Sequence, residues 1–251
     1  MGSTANKTGR IVGDNITGGN EVFKGVLGTA ILKLFDMSIG QTGKTEKEAI
    51  ADGDDYVVVY NIKPDRPHFM GGKDMVIKAL ALKDGTIIGA QIVGYEGVDK
   101  RIDVIVTAIT LKGKAKDLEG LDLAYAPPFA TARDPINYTG MIIENHLNKN
   151  LKLQTPKEFI RPQSDKTQIV DIRSPYVYHH TRIEGAINIP QQLVRDNIHV
   201  LDKNRPVILY CMTGLTSNAV QNILLREGFK DVKNVAGGYV NIVNYLRSLK
   251  K

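Results

Sequence analysis

A chain of 251 residues, 42% of them hydrophobic, can bury two cores; its single cysteine excludes an internal disulfide, and its five histidines stand in no CxxC context, so no metal site is expected. The +6 formal charge belongs to residues 151–251, where 15 Lys and Arg stand against 8 Asp and Glu while the first 150 residues are nearly balanced, a distribution that suits a solvated surface or an anionic partner and, without aromatic strand motifs, not nucleic acid. No apolar run reaches the ~18–20 residues that cross a bilayer, and MGSTANKTGR holds no signal-peptide core, so a cytoplasmic protein with no membrane contact is expected.

In chain order, GTAILKLFDMSIGQTG, DYVVVYNI and GTIIGAQIVGYEG combine β-branched and aromatic residues with partial alternation and glycine turns. That pattern predicts a half-exposed antiparallel sheet. KDMVIKALA, between the last two, is ambiguous between helix and strand. VDKRIDVIVTAITLKGKAKDLEG repeats apolar residues at helical spacing and ends in glycine, which predicts a helix. This half is α+β, without an internal repeat. The Asn- and Lys-rich stretch NHLNKNLKLQTPKEF marks a boundary, because a proline there opens the next element. Beyond it, QIVDI, INIP, PVILYC and VKNVAGGY read as buried parallel strands, with helical patterns in AVQNILLREGF and VNIVNYLRSLKK. The second half is therefore α/β.

The only cysteine ends the run PVILYC and is followed by MTGLTSN. A strand there delivers Cys211 to a tight turn at Gly214, and an amphipathic helix starts directly after it. Such a turn directs successive backbone N–H groups toward the sulfur, and the helix N-terminus adds about half a positive charge. Both favour a thiolate, so Cys211 is expected to have a depressed pKa and to act as a nucleophile without a histidine partner. The alternative is a buried structural cysteine, the commoner fate of a free thiol.

Residues 153–250 resemble the rhodanese (sulfurtransferase) domain. VDIRSPYVYHHTRIEGAINIP is similar to its early strand and G-H-x-x-G-A-x-N-I-P stretch, CMTGLT to its six-residue cysteine loop, and GFKDVKNVAGGY to its late strand and Gly-Gly turn. The resemblance implies transfer of sulfane sulfur, held as a persulfide on Cys211 between a small sulfur donor and a thiol acceptor and stabilised by the loop amides of Met212, Thr213, Gly214, Leu215, Thr216 and Ser217. Asp171 and Arg173 match a D-x-R element that reads as a structural ion pair. The sequence departs from the family pattern at Thr216, where arginine is frequent, and at Arg182, where histidine is common. Loss of the loop guanidinium removes a bidentate clamp for an anionic donor, so a persulfide or polysulfide is expected in place of thiosulfate. The arginine that closes a related phosphatase loop is also absent, with Ser217 at the seventh position.

Residues 3–147 resemble the end of the flavin-dependent pyridine nucleotide-disulfide reductases, in particular the coenzyme A-disulfide reductase and NADH oxidase branch. The segments are GSTANKTGRIVGDNI, GTAILKLFDMSIGQTGKTEKEA, IIGAQIVGYEGVDKRIDVIVTAI and LAYAPPFATARDPIN. The resemblance implies residues 1–25 as the helix that ends the flavin domain, 26–148 as an α+β dimerisation domain and 153–251 as the rhodanese-like domain with its parallel sheet. It also implies a homodimer formed through the first domain. FAD and coenzyme A are implied for the full-length family. No cofactor is expected for this chain alone, because no G-x-G-x-x-G follows a strand. Tyr125, in LAYAPPF, matches a tyrosine of the reductase substrate site, although a role in packing at the dimer contact is the simpler reading. The five histidines read as surface or loop residues. Two further functions are kept beside sulfur carriage: a non-catalytic binding module of rhodanese fold, and one chain of a split flavin-dependent reductase.

Overall fold

The computed structural model describes residues 2–250. Helix α1 (Gly2–Ile16) contributes no buried residue. An antiparallel sheet follows, built from β1 (Ala30–Leu34), β2 (Met37–Gly43), β3 (Tyr56–Pro64), β4 (Asp74–Leu82) and β5 (Ile87–Gly94) in the order β1-β2-β5-β4-β3, with the short helix α2 (Glu46–Ala51) between β2 and β3. Residues buried at alternate positions of β3 and β4, among them Val57, Val59, Met75 and Ile77, face one core. The ambiguous segment KDMVIKALA is β4: both its edges are paired, by β3 and β5, and a register shift at Leu80/Ala81 buries both of those residues.

The same core is closed by α3 (Val98–Thr110) and α5 (Pro135–Asn148), through Val98, Ile102, Ile105, Ile136 and Ile143. The single helix expected over VDKRIDVIVTAITLKGKAKDLEG is two, α3 and α4 (Ala115–Gly120). Lys112 adopts a left-handed φ of 55°, and the chain then turns back so that Lys114 bridges Thr86. Helical spacing continues across the break because both helices bury their apolar face in one core.

The second half is a parallel sheet in the order β6-β10-β9-β7-β8: β6 (Leu153–Gln154), β7 (Gln168–Asp171), β8 (Ile187–Asn188), β9 (Val207–Tyr210) and β10 (Val232–Val235). The connections hold α6 (Pro156–Phe159), α7 (Pro175–His180), α8 (Val194–Asn197) and α9 (Leu215–Arg226), and α10 (Gly238–Ser248) follows the last strand. All four residues of β9 are buried, as a strand covered on both faces requires. Its alternation sorts side chains between two cores. Leu209 and Cys211 face the core shared with Val220 and Leu224 of α9, whereas Ile208 and Tyr210 face the core shared with Phe159 and Ile242.

The halves are joined through residues 149–153. His146 on α5 accepts a hydrogen bond at Nδ1 from the Leu153 amide (3.2 Å), and Gln221 on α9 donates to Lys152 O (2.8 Å). His146 is thus not a plain surface residue: burial lowers its pKa, partly offset by the Leu151 carbonyl. Among the described residues no helix is long and apolar enough to cross a membrane.

Candidate active site around Cys211

Cys211 lies at the C-terminal end of β9, where the sheet hands the chain to α9. Gly214 makes the turn at φ +89° and caps α9. The sulfur accepts from the Gly214 amide at 3.1 Å and lies 3.3 Å from the Ser217 hydroxyl. Cys211 is only 4% exposed, and burial alone would raise its thiol pKa. Hydrogen bonds from the Ser217 and Thr216 side chains and from the Ser217 and Thr213 amides outweigh burial and hold it below its ordinary value. Met212, Leu215 and Thr216 form the exposed rim of the loop.

The loop is held from behind by the turn after β10. Tyr239 N donates to Cys211 O (2.8 Å) and Val240 N to Met212 O (3.1 Å). Gly238 has φ +56°, and a Cβ there would stand 2.6 Å from Cys211 O, so the backbones meet where no side chain fits. Asn234, fully buried on β10, donates from Nδ2 to Gly214 O at 2.8 Å. A carbonyl only accepts, so this bond fixes the amide orientation and presents Oδ1 to Ser217 Oγ at 2.7 Å. Ser217 has one proton for two neighbours. It can donate to Asn234 Oδ1 or to the sulfur, and an ionised thiol competes for it more strongly than a neutral one.

Asp171 and Arg173 form a buried pair, with Arg173 Nη2 2.6 Å and Nε 2.9 Å from the two carboxylate oxygens. Arg173 also donates to Thr181 O and lies 4.1 Å from the Tyr239 ring centre and 5.4 Å from that of Tyr210. It braces the wall beside the loop and is spent on internal partners. Arg182 is exposed, over the Tyr178 ring at 5.4 Å. Tyr125 is 52% exposed in the first domain and does not line the cavity that Thr213 and Gly214 face. The loop residues Met212 to Ser217 thus surround Cys211, the Asp171–Arg173 pair stands behind Tyr210 and Tyr239, and Arg182 and Tyr125 make no contact with the loop.

Sequence reading passed over Asn234 and Tyr239, although both lie in the VKNVAGGY segment it singled out. A buried Asn on a central strand, where an apolar residue is expected, was the available signal. Also unforeseen is a small interdomain cavity of about 90 Å³, in which Tyr60, Lys63, Tyr138 and Asn145 face Thr213 and Gly214. Among the described residues no group of His, Cys, Asp and Glu could hold a metal ion.

Comparison with known proteins finds two family matches: a pyridine nucleotide-disulphide oxidoreductase dimerisation domain over residues 29–135 and a rhodanese-like domain over residues 155–245. The chain is 39% identical over 138 residues to the NAD(P)H sulfur oxidoreductase (CoA-dependent) of Pyrococcus furiosus, a match that covers 54% of this chain and 31% of that protein. It is 30% identical over the same length to the coenzyme A disulfide reductase of Staphylococcus epidermidis, again covering 54% and 31%. Among solved structures, an NAD-dependent persulfide reductase from A. fulgidus superposes with TM-score 0.84 at 35% identity, over 95% of this chain and 43% of that one. Reduced CoADR-RHD from Bacillus anthracis superposes with TM-score 0.92 at 32% identity, over 97% and 44%. The chain thus spans about a third of the length of the curated relatives it matches and under half of these two solved chains.

Proposed function

Because this chain joins a pyridine nucleotide-disulphide oxidoreductase dimerisation domain to a rhodanese-like domain, we propose that its second domain carries sulfane sulfur as a persulfide on Cys211, within the chemistry of a flavin-dependent coenzyme A-disulfide or persulfide reductase. The observation that carries this reading is the ring of donors on the sulfur, the Gly214 amide at 3.1 Å and the Ser217 hydroxyl at 3.3 Å, which lowers the thiol pKa despite burial. The names of the relatives, a persulfide reductase among them, support the same sulfur redox context.

The thiolate of Cys211 attacks the outer sulfur of a donor persulfide, R–S–SH. A new S–S bond forms to Cys211, the donor S–S bond breaks, and R–S⁻ leaves with the electron pair. An acceptor thiolate then attacks the outer sulfur of the enzyme persulfide, Cys211 leaves as thiolate, and a new persulfide departs. No net oxidant is consumed. The same donors that stabilise the thiolate stabilise a persulfide anion one bond further out.

At the head of α10 the parallel sheet has no room for the pyrophosphate of a flavin dinucleotide. The one parallel sheet opens α10 at Gly237-Gly238, where a pyrophosphate would need open backbone, and that space is filled by the cysteine loop, a Cβ on Gly238 lying 2.6 Å from Cys211 O. No step is routed through it. Partnership of two chains through the first domain belongs to the same reading. A binding module without turnover is favoured by one observation, the 4% exposure of Cys211.

Intact-mass measurement decides between them. Incubation with glutathione persulfide should add one sulfur, about 32 Da, to wild type and not to Cys211→Ser, and cyanide should remove it. Absence of any adduct would leave the binding module.

A further inference from the structure

An open cavity of about 610 Å³ is lined by His179, His180, Arg182, Glu184, Gly185 and Tyr239. None of its lining comes from residues 211–217. Backbone amides tie it to Cys211 and to the residue before it. Tyr239 donates its amide to Cys211 O, and Ile183, next to Arg182, donates its amide to the Tyr210 hydroxyl at 3.2 Å. Among the described residues Arg182 has no carboxylate within 4 Å, whereas its neighbour Arg173 is fully engaged by Asp171 and Thr181. The guanidinium available at this mouth is therefore that of Arg182, on the turn between α7 and β8.

We propose that this cavity binds the anionic tail of an organic persulfide donor, with Arg182 as the anion-binding residue; the proposal rests on sulfur carriage by Cys211. The cysteine loop has Thr216 where a guanidinium would sit, so a donor whose charge adjoins its sulfur, such as thiosulfate, meets only amides and hydroxyls there. Arg182 approaches from a different element, outside the loop. One ligand engages both sites only if several bonds separate its carboxylate or phosphate from its reacting sulfur. Glu184 in the same cavity opposes the anion, and His179 and His180 add positive charge only when protonated. The donor reacts by the balanced exchange above: its outer sulfur moves to Cys211, and its thiolate leaves with the tail still bound at Arg182.

Single-turnover sulfur transfer to the full chain, followed by intact mass, tests this with three donors: glutathione persulfide, with carboxylates; coenzyme A persulfide, with phosphates; and 2-hydroxyethyl persulfide, with an uncharged tail. In Arg182→Gln the half-saturating concentration of a charged donor should rise about tenfold, the loss of one charge-assisted contact, while the saturated rate holds. The uncharged donor should be unaffected. Arg182→Lys should retain part of the preference, and Glu184→Gln should strengthen binding of the charged donors. The response of the two charged donors distinguishes carboxylate from phosphate tails. If Arg182→Gln leaves charged donors unchanged, or slows all three alike, the proposal is overturned while sulfur carriage stands. No adduct from any donor on wild type overturns both.

Discussion

At the scale of single residues, the reactivity of Cys211 depends on one shared proton. Burial opposes ionisation, and the Ser217 hydroxyl opposes burial only when it gives up Asn234 Oδ1. Asn234 is thus a positioning residue acting through Ser217. The ionised fraction should be followed by iodoacetamide alkylation across pH. In wild type the midpoint is expected below the ordinary thiol range near 8.5. Ser217→Ala should move it up by removing a donor. Asn234→Asp should also move it up, because a carboxylate holds the serine proton more strongly and offers nothing to Gly214 O. The linkage has a fixed sign: the folded pKa is depressed, so the stabilisation is present above the unfolded value and is lost as pH falls through the folded one. Unchanged midpoints in both variants would remove Ser217 and Asn234 from the account of the thiolate.

At the scale of elements, the first domain is tied by a buried ion pair between α3 and the start of α5. Arg101, 1% exposed, meets the two carboxylate oxygens of Asp134 at 3.2 and 2.8 Å and donates to Asp65 O and Gly97 O. Asp134 also caps α5 through the Ile136 amide. Asp134→Ala strands a buried guanidinium and removes a cap, and should cost about 3–5 kcal/mol in urea unfolding, with alkylation of Cys211 unchanged in the folded protein. A loss below about 1 kcal/mol would show that the guanidinium finds water or another acceptor. Neither Arg101 nor Asp134 could be paired from sequence, being 33 positions apart on elements of ordinary amphipathic pattern. What was legible was local. The run PVILYC followed by a glycine turn and a helical pattern placed Cys211 at a strand end, and β-branched alternation announced the antiparallel sheet. What was not legible was tertiary: the break at Lys112 needs Thr86 as a partner, and Asn234 reads as an interruption of a strand until the loop it holds is folded against it.

At the scale of the molecule, the first domain leaves several large apolar side chains exposed. Phe69 is 82% exposed and Phe129 74%, and Tyr125 with Pro127 and Pro128 continues the segment that holds Phe129. That segment is pre-organised: Asn137 donates to the carbonyls of Leu118 and Leu121 just before it, and Ala130 is buried just after it. Rigid aromatic side chains lose little entropy on association, which is why they anchor interfaces. A second copy of the chain is the occupant expected for a domain of the dimerisation type. Sedimentation should therefore give twice the 27.6 kDa chain mass at micromolar concentration. Phe129→Asp should shift the equilibrium toward monomer by at least about tenfold, since it places a charge in a desolvated contact, and Tyr125→Phe should leave it nearly unchanged if the phenol only packs there. Sulfur loading of Cys211 should survive in the Phe129→Asp monomer, because every donor to that sulfur comes from its own domain. A monomeric wild type at all concentrations would overturn the contact, and a Phe129→Asp monomer that no longer loads would mean that the partner completes the site.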